Sequence, residues 1–475
     1  MVIIGAHYFS GWAHVCVNST QPGCFSHFHG FTPRGERTDD WFPDYPERIP
    51  LLGNLTTNED TIAREVAAAD GHGLDFFDML YYDGGSNCGY NADPGLRWCL
   101  NSALAFMLNS STVWRNTSGR LHFFISYSND IDVHEPDAFV GPNGDSKWDG
   151  LVKTWVAAMR HSRYLKVNGR PLFKVLIPSI FIQECGDNAT LAMLRLRELT
   201  TAAIAQGLQP PLIGGGWQNP SVPAGTDPAP RPHPEGFMQY TRTRINCTGC
   251  DLNTSSVSTV NECEGKCNAT RGCLAAVVRR PADAQQVLSC TLKSDAGPGT
   301  ADAAHDTYVR VNERVPYEWT GTYNAAPPTC PGQPDSRCPR FQHSWWPNAT
   351  AHGARIFPYR ECGDYQRDAR GNHSNDAVPY LPNVIAGFDP RPWEEQSPSF
   401  AMPSHTEWMA ALRQVKEQCE TTANRFGFPD ASQPHGYQPA FSIYAWNEFG
   451  EGGILAPTHG EGFMKLRAIA EVFGR

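Results

Sequence analysis

Basic clusters are missing from this chain of 475 residues: there is no Lys/Arg-rich run, and the formal net charge is -10. A nucleic-acid groove or an anionic membrane surface is therefore excluded as a natural partner, which leaves neutral or small ones. Long apolar runs are missing too, and none approaches the roughly 20 residues needed to span a bilayer. The opening Met1-Val-Ile-Ile-Gly-Ala-His-Tyr-Phe lacks the charged start and extended apolar core of a secretory leader. It reads as a first strand, so a trimmed mature form is expected. No phosphate-cradling glycine loop is placed to hold a nucleotide.

What is present points to an oxidising compartment. Fifteen cysteines accompany ten Asn-x-Ser/Thr acceptors, at Asn18, Asn54, Asn109, Asn116, Asn188, Asn246, Asn253, Asn268, Asn348 and Asn372. That density is expected of a glycosylated, secreted or secretory-lumen protein. Aromatics make up 11% of residues with 13 Trp; the surplus fits the flat faces of sugars, although a large core accounts for much of it.

Strand-like and helix-like segments alternate, the pattern of a parallel α/β fold. Candidate strands fall at 2–9, 74–82, 121–127, 171–177, 211–217, 236–240, 384–388 and 440–446. Eight of them predict a closed (β/α)8 TIM barrel. Thr57-Asn-Glu-Asp60 reads as a capping box before Ile62, Val66 and Ala69 at helical spacing, with Gly71 and Gly73 ending the helix. Phe463, Leu466, Ile469 and Phe473 share one face of a last helix that closes the barrel at the chain's ends.

Residues 242–312 break this rhythm with six cysteines, at 247, 250, 263, 267, 273 and 290. The expected organisation is a catalytic barrel of 1–241 and 313–475, interrupted by a disulfide-stapled insert. Metal ligation by Cys247-x2-Cys250 is the rival reading, but no second pair stands at zinc-ribbon spacing, and no metal or other cofactor is expected. Cys16/Cys24, Cys88/Cys99 and Cys330/Cys338 are close enough to staple loops, and the odd total leaves a thiol unpaired. The run Cys263-x3-Cys267-x5-Cys273 with Cys290-Thr-Leu-Lys-Ser294 resembles the apple/PAN module. That resemblance implies disulfides Cys263–Cys290 and Cys267–Cys273; a glycan or a protein is the expected partner of the insert.

The chemistry gathers near the end of the chain. Phe441-Ser-Ile-Tyr-Ala-Trp-Asn-Glu448-Phe-Gly-Glu451 is a buried strand opening into a turn with two carboxylates, and glycines 450, 452 and 453 allow that turn. Paired carboxylates suit glycosidic bond chemistry, in which one holds a proton and the other does not. A capping or solvated glutamate pair is the bland alternative. In a barrel the reactive groups come from the C-terminal strand ends. Those ends supply His7, Tyr8, Trp12, Tyr82, Tyr127, Asn129, Trp217, Tyr359, Glu361, Asp389, Arg391, Trp393 and Asn447 as candidate sugar contacts. His7 and Tyr8 could equally be core side chains, Asp389 and Arg391 a structural clamp, and the tryptophans barrel plugs.

Ala445-Trp-Asn-Glu-Phe-Gly-Glu-Gly452, His7-Tyr-Phe-Ser-Gly-Trp12, Tyr164-Leu-Lys-Val-Asn-Gly-Arg-Pro-Leu-Phe173 and Gly387-Phe-Asp-Pro-Arg391 together resemble WbsX-type proteins related to glycoside hydrolase family 99. The resemblance covers nearly the whole chain outside the insert. It implies a retaining, neighbouring-group mechanism on α-mannosides: the sugar's own 2-hydroxyl attacks the anomeric carbon, Glu448 is its base, and Glu451 is the acid that later activates water. Phe449-Gly450 stands between the glutamates where family 99 has Trp-His, which weakens the mannose preference. The expectation is an endo-acting glycoside hydrolase for an α-linked oligo- or polysaccharide. The alternatives are a WbsX-like glycosyltransferase of polysaccharide assembly and a non-catalytic carbohydrate-binding protein.

Overall fold

The computed structural model describes residues 2–12, 45–53, 56, 58–83, 101–129, 135–216, 317–321, 356–372, 378–393 and 399–475, and, between 231 and 310, the short stretches named below. Eight parallel strand positions form the barrel: β1 (Ile3–Tyr8), β2 (Phe76–Tyr82), β3 (His122–Ser128), β4 (Arg170–Val175), β5 (Leu212–Gly216), β6 (Trp319–Gly321), β7 and β8 (Tyr437–Tyr444). β7 is split by Pro382 into Tyr380–Leu381 and Asn383–Ile385. Its first half pairs with β6 and its second with β8. Since β8 also pairs with β1, Ile3 opposite Ala440, the ring closes.

These strands are buried on both faces because each face is covered; every position of β2 is buried. The outer layer consists of α1 (Glu59–Gly71), α2 (Ser102–Asn109), α3 (Gly141–Met159), α4 (Pro178–Glu184), α5 (Ala189–Ala205), α6 (Tyr359–Asn372), α7 (His405–Glu420) and α8 (Met464–Phe473). Local chemistry sets their ends. Asn58 caps α1, its side chain accepting from Asp60 N at 2.9 Å and Thr61 N at 3.3 Å, one residue later than the capping box read from the sequence. Ser404 and Glu407 form a reciprocal box at the start of α7. α8 buries Leu466 and Ile469, and Phe473 stacks on Phe441 of β8 at 5.5 Å, as the helical spacing predicts.

Inside the barrel, alternate side chains form layers. The floor is dry and aromatic: Phe76, Phe124, Trp319 and Phe428 meet with ring centroids 5.0–6.3 Å apart. Trp319 fits because β5 carries glycine opposite it; a Cβ on Gly214 would stand 2.2 Å from the indole. Above the floor lies a polar layer from five strands. His7 Nδ1 lies 2.8 Å from Asp78 Oδ2, Lys174 and Ser126 also bind Asp78, and Ser442 Oγ is 3.2 Å from His7 Nε2. Burial alone would raise the Asp78 carboxyl, but the Lys174 and His7 charges outweigh it and hold it below the usual carboxylate range.

The sixth strand is the main departure from expectation. Phe237–Tyr240, read as barrel strand from its short apolar run, pairs antiparallel with His305–Arg310. It belongs to a six-stranded antiparallel sheet with Arg231–His233, Asp251–Val257, Ala275–Arg279 and Leu288–Lys293. A four-residue run with three apolar members fits either kind of sheet, and the three-residue β6 is too short to show a period. Thr243–Ile245 pairs with Gly299–Ala301. The Cys263–Cys290 disulfide is present, with Cα atoms 5.7 Å apart. Cys267 and Cys273, and the pairs Cys16/Cys24, Cys88/Cys99 and Cys330/Cys338, lie outside the described residues. Cys185, Cys362 and Cys419 are buried free thiols. Among the described residues no helix is long and apolar enough to cross a membrane, and no His/Cys/Asp/Glu group could hold a metal ion.

Candidate active site

β8 delivers the chain to the C-terminal mouth of the barrel, where Asn447–Glu448 pairs antiparallel with Gly453–Ile454. The intervening turn carries Glu451. Its backbone is fixed from several sides: Phe449 N donates to Asn447 O at 2.9 Å, and Glu451 N to Glu448 O at 3.2 Å. From outside the turn, Asp389 N donates to Glu451 O at 2.6 Å and Arg48 Nη1 to Phe449 O at 3.1 Å. Gly452 is obligatory here, with φ +75° and no room for a Cβ, which would stand 2.8 Å from Asp389 N. Glu448 is buried at 5% exposure, Glu451 is half-buried, and the Tyr444 hydroxyl donates to Glu451 Oε2.

The strand ends around this turn are locked by asparagine. Asn447 Oδ1 accepts from Phe9 N and its Nδ2 donates to Phe9 O, both at 2.8 Å. Asn101 does the same for Tyr82, at 3.0 and 2.9 Å. Asn129 does it for Ile177 beyond β4, at 2.9 and 2.8 Å. A carboxamide presents one donor and one acceptor in the geometry of a peptide group, so each asparagine supplies a ladder rung where regular pairing stops. Asn129 and Asn447 were expected to face a sugar; their amide groups are engaged with backbone instead.

Asp389 and Arg391 adopt the clamp arrangement. Arg391 Nε and Nη2 each donate to the Asp389 carboxylate at 2.6 Å, and buried Arg48 pairs with Oδ2 while Nη1 reaches Asp389 O at 3.0 Å. Burial would raise the Asp389 carboxyl, yet Arg48 and Arg391 hold it below the ordinary value. Tyr45 lies under both guanidiniums, 4.6 Å from Arg48 and 5.6 Å from Arg391. Arg48, which sequence reading missed, ties the end of β7 to the glutamate turn. Its only sequence signal is the preceding Pro46, since a buried arginine looks like any surface one in sequence.

The remaining candidates divide by strand parity. His7 faces the interior and belongs to the buried polar layer. Tyr8 faces the other way: its hydroxyl donates to Glu65 of α1. Tyr127 donates to Glu184 Oε1 of α4 at 2.9 Å, and Tyr359 to Ile385 O at 2.7 Å. Tyr359 opens α6 and so lies in the helix layer; Tyr8 and Tyr127, also expected at the rim, sit between strand and helix because neighbouring residues of a strand point to opposite faces. Their acid partners are desolvated: burial pushes Glu65 up to about 7 and Glu184 up to about 8. Trp12 is buried, donating from Nε1 to Asn447 O at 2.7 Å and packing on Phe9 and Phe449 at 5.7 and 5.2 Å. Tyr82 is buried beside Phe9, at 6.1 Å. Glu361 is half-buried in the first turn of α6. Trp217 and the Trp393 side chain lie outside the described residues.

No family model and no curated protein matches the chain. Solved structures resemble it at a distance. A glycoside hydrolase-like protein is 10% identical with a TM-score of 0.47, covering 99% of this chain and 94% of its own. The GH99 endo-alpha-mannosidase of Bacteroides thetaiotaomicron is 11% identical with a TM-score of 0.44, covering 99% and 96%. An exo-beta-1,4-mannosidase from Opitutaceae bacterium strain TAV5 is 11% identical with a TM-score of 0.37, covering 100% of this chain and 59% of its own. At these scores neither fold nor activity follows from the likeness.

Proposed function

We propose that this barrel is a retaining glycoside hydrolase of α-linked, manno-configured oligo- or polysaccharides, with Glu448 and Glu451 as its reacting carboxyls. The observation that carries the reading is the position of both glutamates in one clamped turn at the C-terminal end of β8, where barrel enzymes hold their chemistry. A turn fixed by Arg48, Asp389 and Asn447 presents side chains without an ordering cost at the moment of reaction.

The chemistry proceeds in two displacements. Glu448 accepts the proton of the sugar's 2-hydroxyl as that oxygen bonds to C1; the C1–O glycosidic bond breaks, and Glu451 gives its proton to the departing oxygen. Glu451, now a carboxylate, takes a proton from water as the water oxygen bonds to C1; the C1–O2 bond opens, and Glu448 returns its proton to O2. Configuration is retained because C1 inverts twice. An α-gluco substrate is disfavoured, because its 2-hydroxyl is not anti to the leaving group.

A secreted, glycosylated setting is part of the proposal. It is supported by the Cys263–Cys290 disulfide and by exposure of Asn109, Asn116 and Asn188 in the acceptor sequences. The barrel, whose strands lie at 3–216 and 319–444, would carry the activity, and the apple-like insert, which also takes in Arg231–His233 and Phe237–Tyr240, would bind glycan or protein. Product release from a panel of α-mannans, α-glucans and sulfated algal or fungal polysaccharides tests the reading. Release from an α-mannan that disappears in Glu448→Gln and in Glu451→Gln is expected; release that survives both substitutions removes the assignment.

A further inference from the structure

Tyr444 closes β8 and is fully buried. Its ring lies in an apolar cluster with Phe357, Ile385, Phe388 and Phe400, 6.5 Å from the Phe388 ring. Gly453 makes room for it: a Cβ there would stand 2.7 Å from Tyr444 Cε1. The packing leaves the ring one place to be, and its single side-chain polar atom meets Glu451 at Oε2. A phenol has one proton to donate. With Oε2 accepting it, the proton that Glu451 carries as an acid resides on Oε1.

We propose that Tyr444 is a positioning residue that holds the Glu451 carboxyl in one orientation and assigns its transferable proton to Oε1. The inference rests on the reading of Glu451 as the acid. During transfer the Oε1–H bond breaks, the proton passes to the glycosidic oxygen, and the C1–O electron pair goes to that same oxygen. The carboxylate left behind keeps the Tyr444 O–H, whose bond strengthens as the charge develops, so Tyr444 itself loses no proton. Among the described residues the other charged or titratable groups around this contact are Glu448 in the same turn, the Cys362 thiol in the same apolar cluster, Asp389 with Arg48 and Arg391 beyond β7, and His7, whose ring is 6.5 Å from that of Tyr444.

Tyr444→Phe keeps the ring and deletes the donor. Carbon-13 NMR of the full chain labelled at glutamate Cδ, with the Glu451 signal assigned by its loss in Glu451→Gln, reads the titration without any substrate. The Glu451 midpoint is expected to rise by about one pH unit in Tyr444→Phe, because a donor to the charged form is lost. Replacing Tyr444 by 3-fluorotyrosine, a stronger donor in the same ring, should move it the other way. On an α-mannan oligosaccharide, kcat should fall roughly tenfold to a hundredfold in Tyr444→Phe with KM unchanged. The basic limb of the kcat/KM profile should follow the NMR midpoint upward. A midpoint unmoved by either replacement overturns the proposal. A midpoint that moves while Glu451→Gln retains full turnover overturns the acid role instead, so the two failures are told apart.

Discussion

The carboxamide of Asn447 and the backbone of Phe9 exchange two hydrogen bonds, each of 2.8 Å, between residues at opposite ends of the sequence. The first and last strands of the barrel are thus fastened at the point where the glutamate turn begins. Asn447→Ala would leave a buried N–H and a buried C=O of Phe9 without these partners, and should cost about 2–4 kcal/mol in urea unfolding. A change below about 0.5 kcal/mol, the scale of an ordinary surface substitution, would show the pair to be incidental.

Glu184 should make the protein less stable as pH rises. Its carboxyl, ordinarily at 4.5, is pushed by burial to about 8 in the folded chain. The folded state therefore holds a proton that the unfolded state releases. The associated stability is complete below about 4.5 and is lost as pH climbs through about 8. Glu184→Gln imitates the protonated acid and keeps an acceptor for Tyr127, so its Tm should decline less across that window than that of the parent. Parallel Tm curves would sink the idea.

Removing the antiparallel unit should depend on where it is cut. Replacing 242–312 by a short linker leaves Phe237–Tyr240 without its partner strand His305–Arg310, exposing an unpaired edge. Replacing 231–310 takes out both members. The longer excision is expected to yield more soluble, cooperatively unfolding protein than the shorter one, as read by size exclusion and thermal melting. The reverse order would contradict the pairing.

The two glutamates should separate by leaving group. Glu451→Gln should regain turnover on aryl α-mannosides with acidic phenols, since such phenols need little protonation, whereas Glu448→Gln should not. A 2-deoxy analogue should bind without turning over. Efficient hydrolysis of that analogue, or mass-spectrometric trapping of a glycosyl ester on either glutamate, would falsify attack by the 2-hydroxyl.

What could be read in advance follows the physics of each feature. Helix α8 and strand β8 announce themselves because burial imposes a period on many consecutive residues. The glutamate turn was visible because glycine must accompany a sharp reversal. Parity was harder: His7 and Tyr8 are adjacent and equally aromatic, and only the placement of Asp78 and Glu65 decides which one enters the barrel. Arg48 was invisible because its role depends on Phe449 and Asp389, both more than three hundred positions away. β6 was missed because three residues cannot display an alternation.

Pro382 gives the barrel a spliced stave. Residues 380–381 answer to β6 and 383–385 to β8, and the imide between them has no N–H to contribute. A hoop joined this way should breathe first at its splice, and amide exchange along β7 should outpace that along β2, which pairs at all seven positions with β3. The loop leaving β7 carries Asp389, whose N–H holds Glu451 O. Opening of the splice and slackening of the glutamate turn would then be one motion, giving the mouth a hinge at the stave nearest its chemistry.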